Sequence, residues 1–155
     1  MHIGMKLASL DEIPLVHAVM REAFEEYRGV LIPSSGALRE SVEDILKKIS
    51  AGGGAVLARI EDVAVGSAQF TLQEGHIWVG RVSVLPSHRG RGIGQQLVKY
   101  VEEYARQQGF NEIRLGVRQS LPSNIAFYQK FQYEIVEKKV HASGVGFWYM
   151  MEKAL

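Results

Sequence analysis

Val84-Leu85-Pro86-Ser87-His88-Arg89-Gly90-Arg91-Gly92-Ile93-Gly94 joins two elements of opposite character. Val82-Ser83-Val84-Leu85 reads as an apolar strand. From Ile93 onward, Ile93, Leu97, Val98, Val101, Tyr104 and Ala105 form the apolar stripe of an amphipathic helix that Gly109 ends. A strand, a glycine-rich turn and a helix start together make a receptor for a pyrophosphate. Glycine lets the backbone come close to a ligand and take positive φ. The unpaired N–H groups of the first helical turn and the helix dipole then favour an anion. Arg89 and Arg91, with His88 beside them, add positive charge at the same place.

Spacing narrows the choice of ligand. The dinucleotide pattern G-x-G-x-x-G fails, because Leu97 stands where the third glycine would follow Gly92 and Gly94. The triphosphate loop fails as well, since no Gly-Lys-Ser or Gly-Lys-Thr occurs. What remains is [RQ]-x-x-G-x-[GA], matched by Arg89, Gly92 and Gly94. In this the stretch resembles the pyrophosphate loop of the GNAT superfamily of acyl-CoA-dependent N-acyltransferases, in its wider form V-x-P-x-x-R-G-x-G-I-G. Taken alone, a glycine-rich string is equally a tight turn with solvated arginines.

A second segment shifts that balance. Ser120-Leu121-Pro122-Ser123-Asn124-Ile125-Ala126-Phe127-Tyr128 places Pro122 in the first turn of a helix, where its missing N–H costs nothing. Asn124, Ala126, Phe127, Tyr128 and Lys130 are similar to the family's N-x-A-x-x-F-Y-x-K-x-G-F, with a shorter gap before the Phe-Tyr pair. The resemblance implies that Asn124 hydrogen-bonds the pantetheine arm and that Tyr128 is the general acid for the departing thiolate. It likewise implies a cosubstrate site made of Val82, Ser83 and Val84, Arg89 through Gln95 (Arg89, Gly90, Arg91, Gly92, Ile93, Gly94, Gln95), Asn124, Phe127, Tyr128 and Lys130. A phenol suits the acid's part, because a pKa near 10 keeps it protonated at neutral pH. One departure stands out. Where the family carries Gly-Phe or Gly-Tyr after this helix, this chain has Gln132-Tyr133, so a non-glycine residue must make the helix-ending turn.

Composition fits one enzyme domain spanning residues 1–155. Eighteen Lys and Arg face 17 Asp and Glu, which leaves no general nucleic-acid footprint. No cysteine is present, which excludes an acyl-cysteine intermediate and leaves direct attack on the thioester. A secretory leader and a membrane span are both absent from the pattern, so the expected location is cytoplasmic, with no membrane partner and no metal.

The element order reads β-α-α-β-β-β-α-β-α-β-β: a first strand at Ile3–Ala8, helices from Leu10 and Arg39, strands near 55–60, 63–72 and 76–85, the helix from Ile93, a strand at Ile113–Val117, a helix at Pro122–Lys130, and strands at Tyr133–Val140 and Gly146–Glu152. This is the order of the family resembled. It implies an α/β (α+β) fold: a mixed, mostly antiparallel sheet of about seven strands, helices on both faces, and a splay between the fourth and fifth strands. The cosubstrate would lie in that splay and pair with the Val82–Val84 backbone. Gly80 either marks a bulge in the fourth strand or relieves crowding beside Trp78.

The implied reaction moves an acetyl group from acetyl-CoA to a primary amine of a small molecule or peptide in a ternary complex; the alternative is a non-catalytic acyl-CoA sensor. Trp78 occupies the position where many family members carry a glutamate base, so His76, Glu74, Glu25, Glu26 and Tyr27 are the candidates. The acceptor side is expected from the Arg28–Leu38 loop and the His141–Phe147 hairpin. Tyr27, Arg28, Phe70, Trp78 and Trp148 are candidate walls, and Arg28 or Arg39 a clamp for an acceptor carboxylate. Phe147-Trp148-Tyr149-Met150-Met151 is apolar on both faces, so it should be covered by a neighbouring element or join a homodimer.

Overall fold

The computed structural model describes residues 2–31 and 33–155; Met1 and Ile32, the latter in the loop expected to shape the acceptor side, lie outside the described residues. The strands are β1 (Gly4–Leu7), β2 (Gly54–Ile60), β3 (Val63–Gln73), β4 (His76–Val84), β5 (Glu112–Arg118), β6 (Glu134–Val140) and β7 (Phe147–Ala154). The helices are α1 (Ile13–Phe24), α2 (Val42–Ser50), α3 (Ile93–Gln107) and α4 (Pro122–Lys130), with short 3-10 turns between them. The seven strands form one sheet in the order β1-β2-β3-β4-β5-β7-β6, antiparallel throughout except for the β4–β5 pair. Element order and fold class are those expected.

Helices cover both faces, and β2 shows how the sequence provides for this. Ala55 and Leu57 point to one side, where Ile13 and Val16 of α1 and Ile45 of α2 enclose them. Val56, Ala58 and Ile60 point to the other, against Ile93, Leu97, Val98 and Val101 of α3. A strand buried on both faces has no polar alternation, and β2 reads accordingly. The close approach of α3 is written into Gly66 of β3. A Cβ there would lie 3.0 Å from Ile93 Cγ2 and 3.2 Å from Leu97 Cδ1.

The start of α2 and the surroundings of the closing strand bear on the site. α2 begins at Val42 rather than Arg39, because Ser41 and Asp44 form a reciprocal cap: Ser41 N–H donates to Asp44 Oδ2 at 2.9 Å and Asp44 N–H to Ser41 Oγ at 3.1 Å. Arg39 and Glu40 are thereby left in the connection. The closing strand β7 is an interior strand, paired with β5 on one side and β6 on the other. The neighbouring element expected to cover it is therefore β6, and the free edges of the sheet are β1 and β6.

Candidate functional site

β4 and β5 are hydrogen-bonded neighbours only over Ile77–Val79 and Ile113–Leu115. Beyond that point they separate: β4 continues to Val84 on the β3 side, and β5 continues to Arg118 on the β7 side. The β5-facing edge of Gly80–Val84 thus has no strand partner. Backbone groups on this edge, apart from the Arg81 and Val84 carbonyls that Ser83 and Arg89 engage, are available to an extended ligand. The separation is assisted by a bulge. Gln69 pairs with Gly80 and Ser67 with Ser83, so Arg81 and Val82 together oppose Ala68. The positive φ falls on Arg81 (54°) and not on Gly80, which corrects the placement suggested by the glycine. Nor does Gly80 relieve crowding, since a Cβ there would meet nothing nearer than Trp78 Nε1 at 4.0 Å.

Arg81 holds this strained conformation by ties at both ends. Its carbonyl accepts a hydrogen bond from Ser83 Oγ at 2.8 Å, and its Nε donates to Glu40 at 3.3 Å. Glu40 also accepts from Lys48 at 2.8 Å, and Lys48 reaches Gln69 of β3 at 2.8 Å. Burial pushes the Glu40 carboxyl up, but the Lys48 hydrogen bond and the Arg81 and Lys48 charges outweigh it, and its pKa lies below the ordinary value.

A cleft of about 920 Å³ occupies the splay. From β4, Val82, Ser83 and Val84 line it, and from the loop Arg89, Gly90 and Gly92 do so, followed by Ile93, Gly94 and Gln95 of the first turn of α3. The first ladder bond of α3 runs from Gln96 N–H to Gly92 O at 3.1 Å, so the amides of Ile93, Gly94 and Gln95 precede the ladder. Gly92 caps the helix in the left-handed region (φ 78°). At Gly94 a Cβ would make ordinary 3.7 Å contacts with Phe127 and Val84, so protein packing does not explain a glycine there. The residues present therefore fit a diphosphate followed by an extended amide-bearing arm.

Arg89 is more committed than its position in the pattern suggests. Its guanidinium donates to Val84 O at 3.2 Å, Ala23 O at 2.9 Å and Glu26 at 2.5 Å, stitching the loop to the end of α1. Arg91 and Lys130 lie outside the cleft lining, Lys130 exposed at the end of α4.

α4 faces the loop across the cleft and contributes Asn124, Phe127 and Tyr128. Tyr128 packs edge-on against Phe127 at 5.0 Å and Tyr133 at 5.7 Å. Burial pushes its phenol well above the ordinary value, so it keeps its proton. Tyr27, in the 3-10 turn that follows α1, is raised by burial and by Glu26, with a hydrogen bond to the Asn124 side chain in partial opposition. The helix ends at Gln132, which does adopt the left-handed conformation (φ 77°). Tyr133 N–H donates to Tyr128 O and Gln132 N–H to Gln129 O, both at 3.1 Å.

The opposite wall is aromatic and basic. Trp78 and Trp148 meet edge-to-face at 6.1 Å, in space that Gly116 leaves open: a Cβ there would lie 3.0 Å from Trp148 and 3.3 Å from Trp78. Tyr27, Trp78, Trp148 and Arg39 line the cleft as expected, whereas Arg28 is paired with Glu25 outside it and Phe70 is buried against Tyr104 in the core. Of the candidate bases, His76, Glu74 and Glu25 lie outside the lining; Glu26 and Tyr27 are in it. His141, from the hairpin expected on this side, lines the cleft, and Arg81 and Arg118 are lining residues that the sequence pattern did not single out. Each stands alone in its own segment, and only the splay brings them together. Among the described residues no His, Cys, Asp and Glu side chains group as a metal site, and no helix is long and apolar enough to cross a membrane.

With this geometry in view, the likeness to known proteins is specific. A family model described as the acetyltransferase (GNAT) family matches residues 16–133. N-acetyltransferase 8B of Homo sapiens is 28% identical over 134 residues, covering 81% of this chain and 56% of that protein. N-alpha-acetyltransferase 50 of Danio rerio is 32% identical over 96 residues, covering 59% of this chain and 57% of that protein. The chain thus spans just over half the length of these curated relatives. In fold it is similar to the PaiA N-acetyltransferase of Thermoplasma acidophilum in complex with coenzyme A, with a TM-score of 0.83 at 19% identity and both chains covered in full. Since the family model matches well over half of its length, the chain belongs to the acetyltransferase (GNAT) family.

Proposed function

We propose that the protein transfers an acetyl group from acetyl-CoA to a primary amine by direct attack in a ternary complex. The observation that carries this reading is the convergence of three features on one cleft: the unpaired Gly80–Val84 edge, the glycine loop at the start of α3, and Tyr128 of α4 among the lining residues. The Thermoplasma relative of the same fold holds coenzyme A. In this chain the pyrophosphate belongs at the amides of Ile93, Gly94 and Gln95, and the pantetheine arm along Val82–Val84 with Asn124 beside it.

The chemistry asks little more of the protein. The neutral amine nitrogen bonds to the thioester carbonyl carbon, the carbon–sulfur bond breaks with its electron pair going to sulfur, and the amine proton leaves to solvent in the open cleft. Free N–H groups of the β4 edge favour the carbonyl oxygen as it gains charge. Tyr128, kept protonated by its burial, gives its proton to the sulfur and takes one back from solvent before the next turnover. Phe127 and Tyr133 fix the ring, so the hydroxyl is held in place before the reaction.

Tyr128→Phe tests the reading, because it preserves the ring packing and removes only the proton donor. With acetyl-CoA, an amine panel and a free-thiol readout, turnover is expected to fall by ~10²-fold or more while acetyl-CoA affinity changes little. Near-normal turnover would remove Tyr128 from the role. A wild-type protein that binds acetyl-CoA and releases no thiol with any amine would instead be an acyl-CoA sensor.

A further inference from the structure

Charge is distributed unevenly along the cleft. Glu26 is the only carboxylate that lines it among the described residues, and Glu26 is bound to Arg89 beside the glycine loop. Arg81 stands three residues before Val84, roughly 10 Å along an extended strand and away from that loop. There the lining carries Arg39, Arg81 and Arg118, with His141 next to them and no carboxylate. Glu40 lies behind Arg81, but its charge is already shared with Lys48.

The three guanidiniums are close together and incompletely used. Arg118 donates to the carbonyls of Pro33 and Ser34, the latter at 3.0 Å, and Arg39 to the Ser34 carbonyl at 3.3 Å and to its hydroxyl. Among the described residues neither makes an ion pair with a carboxylate. Gly36 leaves room for the third, since a Cβ there would lie 2.8 Å from Arg81 Nη2. Their mutual repulsion is felt: burial, then the charges of Arg39 and Arg81, hold the Arg118 pKa below its ordinary value. Stitching a loop needs only donors, which serine or asparagine would supply without repulsion. Three clustered cations raise the energy of the free protein, and a bound anion removes that cost. Guanidiniums in particular match the paired oxygens of a carboxylate or phosphate.

We infer that the acceptor amine carries an oxyanion on the same molecule, a carboxylate or a phosphate, received by Arg39, Arg81 and Arg118 while Trp78 and Trp148 flank the portion that joins it to the amine. This assignment of acceptor class rests on the acetyltransfer reading above. A side pocket of about 260 Å³ shares Arg118 and His141 with the cleft and is walled by Pro33 and Phe147. It gives the rest of an anionic acceptor somewhere to go. Diamines and other cationic acceptors are disfavoured by the same charges.

The test uses amino acids, each as the free carboxylate, the methyl ester and the decarboxylated amine, with aminoalkyl phosphates and 1,4-diaminobutane alongside. Two readouts are taken: thiol release with acetyl-CoA, and thermal-shift titration of the CoA-bound protein. The carboxylate or phosphate form is expected to exceed its neutral counterpart by about tenfold or more in kcat/KM and in affinity, the value of a charge-assisted hydrogen bond. The carboxylate and phosphate arms tell which oxyanion is preferred. Arg39→Glu, at an exposed position, should cut the carboxylate-to-ester ratio by at least that factor, mainly through KM; a role confined to holding the loop would weaken both forms alike. Esters or diamines turned over as well as the anionic forms would overturn the inference and leave acetyltransfer standing. Preferential binding of the anionic form with no thiol release would do the reverse.

Discussion

The two halves of the cleft are built on different principles. The half that faces the glycine loop rests on main chain, with α4 closing it by Asn124, Phe127 and Tyr128: a strand edge without a partner, a helix start with free amides, and glycines at Gly90 and Gly92 in the left-handed region. The half that faces Trp78 and Trp148 is made of side chains, drawn from the α1–α2 connection, the β4 bulge, the end of β5 and the β6–β7 loop. Backbone geometry is shared by any sequence that folds this way, so the first half suits a ligand common to a whole family. Side chains change residue by residue, so the second half can be particular to this chain. Arg81 belongs to both, since its backbone makes the bulge and its guanidinium reaches Glu40.

The sharpest way to break this comparison is to add a side chain where the first half needs bare backbone. Gly92→Val forces a β-branched residue into φ 78°, a conformation costing ~1–3 kcal/mol, and fills the approach to the α3 amides. Acetyl-CoA affinity, measured by calorimetry, is expected to drop by ~100-fold or more, about 3 kcal/mol of binding free energy. Gly94→Ala is the companion. The protein has room for that methyl group, so any loss of affinity reports on the ligand alone. A Gly92→Val protein that is folded and binds acetyl-CoA normally would remove the loop from the site.

Glu40→Gln tests the joint between the halves. The change leaves Arg81 and Lys48 without the carboxylate they share, at an expected cost of about 2 kcal/mol in unfolding free energy. Because the folded-state pKa of Glu40 is depressed, its contribution is fully present above the unfolded carboxyl value near 4.3 and is lost as pH falls through the lower folded value. The difference in melting temperature between wild type and Glu40→Gln should therefore be constant from pH 7 to about 5 and shrink below about 4. KM should rise for both acetyl-CoA and amine, since the bulge serves both. A difference that grows toward low pH would show that the carboxylate is not the stabilising species.

How far each half is legible in the sequence follows from how it is built. Residues 82–105 are contiguous, so strand, glycines and apolar stripe could be read off one string and placed beside Tyr128 through a second. The half that faces Trp78 and Trp148 joins Arg39, Arg81, Arg118 and His141: Arg39 and the His141 hairpin could be named as candidates one by one, but Arg81 and Arg118 lie in no pattern, and nothing in the sequence places the four together. Even the bulge was only half visible: Gly80 drew attention to the right strand, yet the positive φ falls on Arg81, because Glu40 and Ser83 hold that residue. The interior place of β7 was hidden for a similar reason. A period-two pattern tells how a strand is buried on its faces and nothing about which strands flank its edges.

Arg89→Ala distinguishes a phosphate contact from a structural tie. All three acceptors found for its guanidinium are protein groups, on β4, on α1 and on the 3-10 turn that follows α1. Removing it should loosen the loop and weaken CoA and a phosphate-free pantetheine thioester by the same factor, on the order of tenfold, since the three hydrogen bonds lost hold the loop and do not touch the ligand. A loss confined to CoA would show that this arginine turns to the phosphate when ligand is present.

The smallest effect is expected outside both halves, at the end of α4. α3 and α4 finish with the same pair of hydrogen bonds: Phe110 N–H to Ala105 O with Gly109 N–H to Arg106 O in one, Tyr133 N–H to Tyr128 O with Gln132 N–H to Gln129 O in the other. The first uses glycine at φ 85°, the second glutamine at φ 77°. Gln132→Gly removes the clash of Cβ with the backbone in that conformation, worth ~1–2 kcal/mol, and gives back part of it by making the unfolded chain more flexible, ~0.5–1 kcal/mol. A net gain of about 0.5–1 kcal/mol, or ~1–4 °C in melting temperature, is expected. The Tyr128 carbonyl still accepts the same bond, so the phenol keeps its place and kinetic constants for both substrates should stay within twofold of wild type, or about 0.4 kcal/mol. A stabilised protein with a large loss of turnover would mean that the strain at Gln132 helps aim Tyr128 into the cleft.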